Sequence, residues 1–329
     1  MFVCVARKCD LCKRITTVVF IYMINRVLIR LKIIQVVYAY YKNSGKSIKA
    51  AEDEVFFSLS KAYDLYKFLL QLIAALTHYA SDRIAFNMRK VRPTEEDINP
   101  NLKFVNNRIA VQIEQNEELK KFSEKSKLDW VNYSDFLRRL LDTIIESEIY
   151  KEYMASETSS YEEDRELWRK LYKNFIFDNE ELDALLEELS LYWNDDKAIV
   201  DTFVLKTIKR FNEEEGAEQQ LLPEYKDDED IEFAHKLFKA TIQNADVYRE
   251  MMSNSSKNWD MTRLAFMDVV IMQTALAEVM TFPKIPLNVT LNEYVEIAKY
   301  YSTPKSSSFI NGLLDTIIKK LQKEEKINK

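Results

Sequence analysis

Arg26 and Arg30 stand four residues apart, so on a helix both guanidiniums share one face and can follow a single phosphate track. Between Met23 and Ala50 there are six basic residues and no acidic ones. Ser44-Gly45-Lys46-Ser47 has the ending of a phosphate-binding loop. That loop needs a further glycine where this chain has Tyr40, so a helix-ending turn is the reading. Cys9 and Cys12 form a Cys-x-x-Cys pair, but a structural zinc asks for four ligands. Only His78 and His235, far along the chain, could add imidazoles. No glycine-rich nucleotide loop and no Ser-His-Asp set accompanies the many carboxylates. Catalytic residues, metal ligands and cofactors are therefore not assigned, and the chain is expected to act by binding rather than as an enzyme.

Helices must position these residues. The chain has 329 residues with only 3 glycines and 6 prolines, and a sheet protein of that size needs many more residues that tolerate positive φ. An all-α fold is the expectation. Val27, Leu31, Ile34, Tyr38 and Tyr41 recur at helical spacing over 25–41, and a second helix is expected from Lys49 to Ala80. Pro93 and Pro100 mark a linker over 91–101. Further helical patterns run over 108–123, 133–154, 161–175, 182–192 and 196–211, then over 231–252. A strongly apolar stretch, 260–280, reads as a central buried helix. Thr290-Leu291-Asn292-Glu293 fits a capping box, and Thr303-Pro304 fits a cap followed by a first-turn proline.

Charge divides the chain unevenly. From Glu146 to Glu232 there are 27 acidic residues against 10 basic ones, within a total net charge of −6. A basic helix beside an acidic bulk can hold a polyanion locally, while the acidic middle itself reads as a solvated surface on exposed helices. The cysteines (Cys4, Cys9 and Cys12) all fall in the first twelve residues, so the fold does not depend on disulfides and a cytoplasmic location is expected. Ile15 to Ile24 is apolar but too short to span a membrane, and Met23 reads as the start of the chain proper. The expected organisation is a non-native or disordered extension over 1–22, an N-terminal helical part over 23–90, an acidic helical insertion over 91–230 and a C-terminal helical unit over 231–329.

Three ordered blocks near the C-terminus resemble one family. Asp268-Val269-Val270-Ile271-Met272-Gln273-Thr274-Ala275-Leu276-Ala277-Glu278-Val279 is similar to a long penultimate helix with an acid at each end. Asn288 to Lys299 contains Asn292-Glu293 followed by Val295-Glu296-Ile297-Ala298-Lys299, and Phe309-Ile310-Asn311-Gly312-Leu313-Leu314-Asp315 resembles a closing motif. Phe233 to Trp259, ahead of Arg263, resembles the preceding helix pair. Arg26, Arg30, Gln35 and Tyr38 resemble an arginine-bearing first helix. Together they resemble the NusB antitermination family in an enlarged form, a NusB-like helical bundle with a large additional middle segment.

The resemblance implies a transcription antitermination factor. Such a factor binds the boxA-like single-stranded RNA of nascent ribosomal RNA transcripts together with a NusE-type small-subunit ribosomal protein, and through them reaches the RNA polymerase elongation complex. It implies RNA contacts at Arg26, Arg30, Tyr38 and Phe309, and a partner surface at Glu278, Asn292, Glu293 and Asn311. Simpler readings stand beside these. Tyr38 and Phe309 lie on apolar stripes that core packing explains, Arg26 and Arg30 could be solvated charges, and Gly312 could permit close helix packing. Val27 and Leu28 stand where the family favours arginine, Lys305 where it is often acidic, and Pro283 where it is often basic. The alternative function is a helical protein–protein scaffold of the same fold without its own RNA binding. An RNA-methylating enzyme would need an α/β cofactor domain that this composition does not supply.

Overall fold

The computed structural model describes residues 23–43, 45, 47–255, 264–303 and 305–329. Cys4, Cys9, Cys12, Trp259, Arg263 and Pro304 fall outside them, as do Ser44 and Lys46. In chain order the α-helices are α1 (Arg26–Lys42), α2 (Ile48–Met88), α3 (Glu95–Ile98), α4 (Arg108–Gln115) and α5 (Glu117–Ser126). Next come α6 (Ser134–Glu146), α7 (Glu148–Ala155), α8 (Tyr161–Leu171), α9 (Glu180–Leu189) and α10 (Lys197–Arg210). The last five are α11 (Asp228–Gln243), α12 (Ala245–Ser255), α13 (Phe266–Thr281), α14 (Leu287–Tyr301) and α15 (Ser306–Lys323). The fold is all-α, with no strand among the described residues.

Short polar residues decide where the helices stop and start. Asn25 caps α1 by accepting from Leu28 N at 2.9 Å, and Ser47 caps α2 by accepting from Ala50 N at 3.1 Å. Three stretches with one continuous apolar period are each cut in two. Asn116 ends α4 and caps α5, Ser147 ends α6 and caps α7, and Asn244 separates α11 from α12. Side chains of this kind offer the backbone a local partner that competes with helix continuation. Periodicity alone cannot register this, because the apolar stripe resumes on the far side of each break.

Two expected caps are corrected. Thr290 lies inside α14, which starts at Leu287 after Pro286, and its hydroxyl is buried and turned to Glu278 instead of a first-turn amide. Helix α15 starts at Ser306, later than a Thr303 cap would place it. The Thr303 amide instead donates forward to the Ser306 hydroxyl at 3.2 Å, and Pro304 lies outside the described residues. A real capping box occurs at Thr94 and Asp97, at the start of α3.

Helix α2 is the axis of the molecule. Its 41 residues span roughly 60 Å at the usual helical rise, and it packs against α1, α4, α6, α10 and α11. Phe68 sits between two tryptophans, stacked on Trp130 at 4.1 Å and on Trp193 at 5.8 Å. Each indole donates to an α2 carbonyl at 2.8 Å, Trp130 to Phe68 O and Trp193 to Lys61 O. Burial of these rings therefore leaves no indole donor unpaired. At the other end of the chain, α13 is buried almost all round and touches α11, α12, α14 and α15. Helix α1 returns to α11 and α13 across the long intervening segment, which places the arginine-bearing helix against the C-terminal unit.

Candidate nucleic-acid interface

The basic residues of α1 do not form one open face. Arg30 is only 3% exposed. Its Nε donates to Glu278 Oε2 at 2.7 Å and its Nη2 to Glu278 Oε1 at 2.9 Å. The Thr290 hydroxyl donates to Oε1 at 2.8 Å and the Tyr294 hydroxyl to Oε2 at 3.1 Å, so each carboxylate oxygen accepts two bonds. Glu278 is fully buried. Burial works to lower the Arg30 pKa, but the Glu278 bond and the surrounding charges outweigh it, and the guanidinium is held above its ordinary value. Burial likewise drives the Tyr294 phenol well above its usual range. A carboxylate with this many donors is a satisfied buried charge, and it ties α1, α13 and α14 together.

The surface roles expected for Arg30 and Glu278 are therefore not what the structure gives them. Arg30 lies four residues from Arg26, but α13 and α14 close over its position and leave no guanidinium face to solvent. Glu293 is half-buried and adds a second carboxylate to Arg30, 3.7 Å from Nη1. Arg26 keeps 37% of its side chain exposed, with its Nε 3.1 Å from Asp230 Oδ1 and its guanidinium over the Phe233 ring. Lys32 is buried beside Asp196 at 2.7 Å. Burial pushes the Asp196 carboxyl up to about 6 against the pull of Lys32. Gln35 donates to Asp195 at 2.8 Å. Carboxylates from the acidic middle thus occupy much of the face that the sequence reading offered to phosphate.

The C-terminal end of α1 is different. Tyr38 is half-buried, with its ring 5.4 Å from that of Phe266, and Tyr41 meets Phe266 edge-on at 6.0 Å. The Lys42 ammonium lies 4.6 Å from the Phe266 centroid and 5.7 Å from that of Tyr38. The Arg249 guanidinium stands 4.7 Å over Tyr41. Gln273 locks this corner by donating to Tyr41 Oη at 2.7 Å while accepting from Arg249 Nε at 3.2 Å. Cations at a helix C-terminus also complement its dipole. The result is a patch of three aromatic rings interleaved with two cations, the chemistry that takes an unpaired base on a ring and its phosphate on a charge.

Of the residues singled out from sequence, only Tyr38 enters this patch. Phe309 is half-buried on α15 and packs against the core. Asn292 and Asn311 are exposed on α14 and α15. Gly312 is open too: a Cβ there would meet nothing within 4 Å, so close helix packing does not explain the glycine. Sequence reasoning missed Tyr41 and Lys42, although both sit one turn from Tyr38. It had no means of finding Phe266 and Arg249, which the fold brings in from α13 and α12.

Comparison with known proteins agrees with this architecture. The NusB family model matches residues 199–319, from α10 into α15, beginning upstream of the 231–329 unit expected from sequence. The transcription antitermination protein NusB of Salinibacter ruber is 32% identical over 132 residues, covering 38% of this chain and 82% of that protein. That of Geotalea daltonii is 35% identical over 136 residues, covering 41% of this chain and 91% of its own length. That of Dictyoglomus turgidum is 39% identical over 95 residues, 29% of this chain and 66% of that protein. No solved structure matches the chain. Two of these relatives thus align over 82% and 91% of their own length with less than half of this longer chain, whose helices in the matched region carry the motifs, and the chain belongs to the NusB family.

Proposed function

We propose that this protein is a transcription antitermination factor that binds boxA-like single-stranded RNA with a NusE-type ribosomal protein, and so reaches the elongating RNA polymerase. Family membership supports the antitermination role. The observation that carries RNA binding is the aromatic–cation patch of Tyr38, Tyr41, Phe266, Lys42 and Arg249. Stacking is tolerant of sequence because every base has a π-face, so the patch supplies affinity. Asn292 and Asn311, exposed on α14 and α15, remain the proposed protein-facing positions, with Glu293 behind them. Phe309 and Arg26 belong to the rim of the RNA site in this proposal.

Tyr38→Ala tests the patch. Loss of one stacking platform costs about 1–3 kcal/mol per base, an affinity loss of roughly 5- to 150-fold, while partner binding stays unchanged. Equal RNA affinity for Tyr38→Ala and the unaltered protein would remove this patch from the RNA site. A second reading, a scaffold that binds protein but not RNA, draws on one observation: Arg26, Arg30 and Lys32 are all engaged by carboxylates of the same chain. On that reading neither protein binds the RNA at low salt.

A further inference from the structure

Four large apolar side chains lie open to solvent over residues 86–98, outside the residues 199–319 that match the family. Phe86 is 71% exposed in the last turn of α2, and Met88 and Ile98 are exposed as well. Val91, just beyond α2, is fully exposed. Phe86 and Met88 are two residues apart and so point to different sides of the helix, which leaves that turn open on more than one side. Arg83, one turn earlier, is fastened to Asp142 of α6. A protein that stays alone in solution rarely leaves so many apolar groups uncovered together.

Beyond α2 the chain doubles back. Pro93 fixes one φ of the turn, the Thr94–Asp97 capping box starts α3, and Lys90 reaches Asp97 at 3.4 Å. Arg89 and Arg92 therefore stand on one limb of the turn, and Glu95 and Glu96 on the other. All four are exposed, and none has an ion-pair partner among the described residues. Exposed apolar groups occur on both limbs, with Val91 on the first and Ile98 on the second. Such a surface complements itself, because a twofold axis brings the cations of one copy to the carboxylates of another. A partner of one sign of charge, a nucleic acid or an acidic peptide, is attracted by one limb and repelled by the other. The Lys90–Asp97 pair and the capping box set the turn's shape beforehand, which lowers the ordering cost of association.

We propose that the turn between α2 and α3 is a self-association surface, on which a second copy of this chain docks about a twofold axis. Arg89 and Arg92 of each copy face Glu95 and Glu96 of the other, and the exposed apolar side chains meet beside them. The surface is small, so the dimer is a weak one that forms and separates with concentration. The inference is independent of RNA binding, and its test contains no RNA.

Sedimentation velocity of the full chain, from micromolar to submillimolar concentration, is the experiment. The unaltered protein passes from monomer towards dimer as concentration rises. F86S/V91S weakens that association roughly tenfold or more, as truncation at the centre of an interface does. The charge variants R89E/R92E and E95R/E96R each remain monomeric, because like charges then face each other across the axis. An equimolar mixture of the two forms dimer again, since each supplies the sign that the other lacks. All substituted positions are exposed, and far-ultraviolet dichroism and thermal midpoints equal to those of the unaltered protein show that the variants keep the fold. A protein that is monomeric over the whole range overturns the proposal and leaves the patch to a different partner. So does a dimer that F86S/V91S leaves intact, or a mixture of folded charge variants that stays monomeric.

Discussion

Glu278→Ala destabilises the fold by about 3–5 kcal/mol, the cost of removing the bidentate partner of a buried charge and leaving it only the half-buried Glu293, 3.7 Å away. The Arg30 guanidinium has no route to water, since its side chain is 4% exposed and Glu278 is fully enclosed. The substitution also takes from the Thr290 and Tyr294 hydroxyls the buried carboxylate to which both donate. Urea unfolding of the variant should show a lower midpoint with little change in slope. The combined Arg30→Met/Glu278→Leu variant buries no charge and recovers part of the loss, the remainder being the two hydroxyls still without Glu278. A loss below about 1 kcal/mol for Glu278→Ala would mean that Arg30 reaches solvent. It would then return to the set of candidate RNA contacts.

Trp193→Ala is the second large effect, also about 3–5 kcal/mol, from a lost buried indole and the cavity it leaves. The ring is 2% exposed, stacks on Phe68 and donates to Lys61 O. Its neighbours in sequence reach α1: Tyr192 O accepts from Lys32, and Asp195 and Asp196 meet Gln35 and Lys32. The same substitution therefore loosens the contact between the middle segment and α1. Thermal unfolding followed at once by far-ultraviolet dichroism and by tryptophan fluorescence should show one lowered transition. Two separated transitions, with the helices around α1 unaffected, would contradict a core shared between the middle segment and α1.

Much of the architecture is legible in the amino-acid sequence, for reasons that can be named. Scarcity of glycine excludes a turn-rich sheet fold, and apolar periodicity locates α1, α2 and the helices from α10 onward. The motifs around Asp268, Asn292 and Phe309 carry the family. Helix breaks at Asn116, Ser147 and Asn244 are not legible from periodicity, because a cap changes backbone hydrogen bonding without changing the apolar stripe. The site is harder to read still. Arg26 and Arg30 share a helix face, yet one is half-exposed and the other buried, because the partner that covers Arg30 lies 248 residues away in Glu278. Tyr38 could be singled out as an aromatic on the first helix, but what makes it part of a patch is Phe266 and Arg249, long-range neighbours that spacing cannot report.

The division of labour along the chain follows from the same geometry. Helices α13 and α14 lock the middle of α1 through one buried carboxylate, and the acidic segment holds Lys32 and Gln35. The end of α1 remains as the place where rings and cations meet. Among the described residues no helix is long and apolar enough to cross a membrane, and the acidic surface of the middle segment disfavours nonspecific polyanion binding elsewhere. On the proposed function, selective RNA binding would depend on this small patch together with a partner protein.

The most direct test is an electrophoretic shift of a boxA-containing RNA against a scrambled control, with and without the NusE-type ribosomal protein, across a salt series. The expected result is preferential retardation of the boxA RNA that the partner strengthens and that weakens steadily with salt, as phosphate contacts release counterions. Equal retardation of both RNAs, or none at low salt despite a stable complex with the partner, would contradict RNA recognition and leave a protein-binding scaffold.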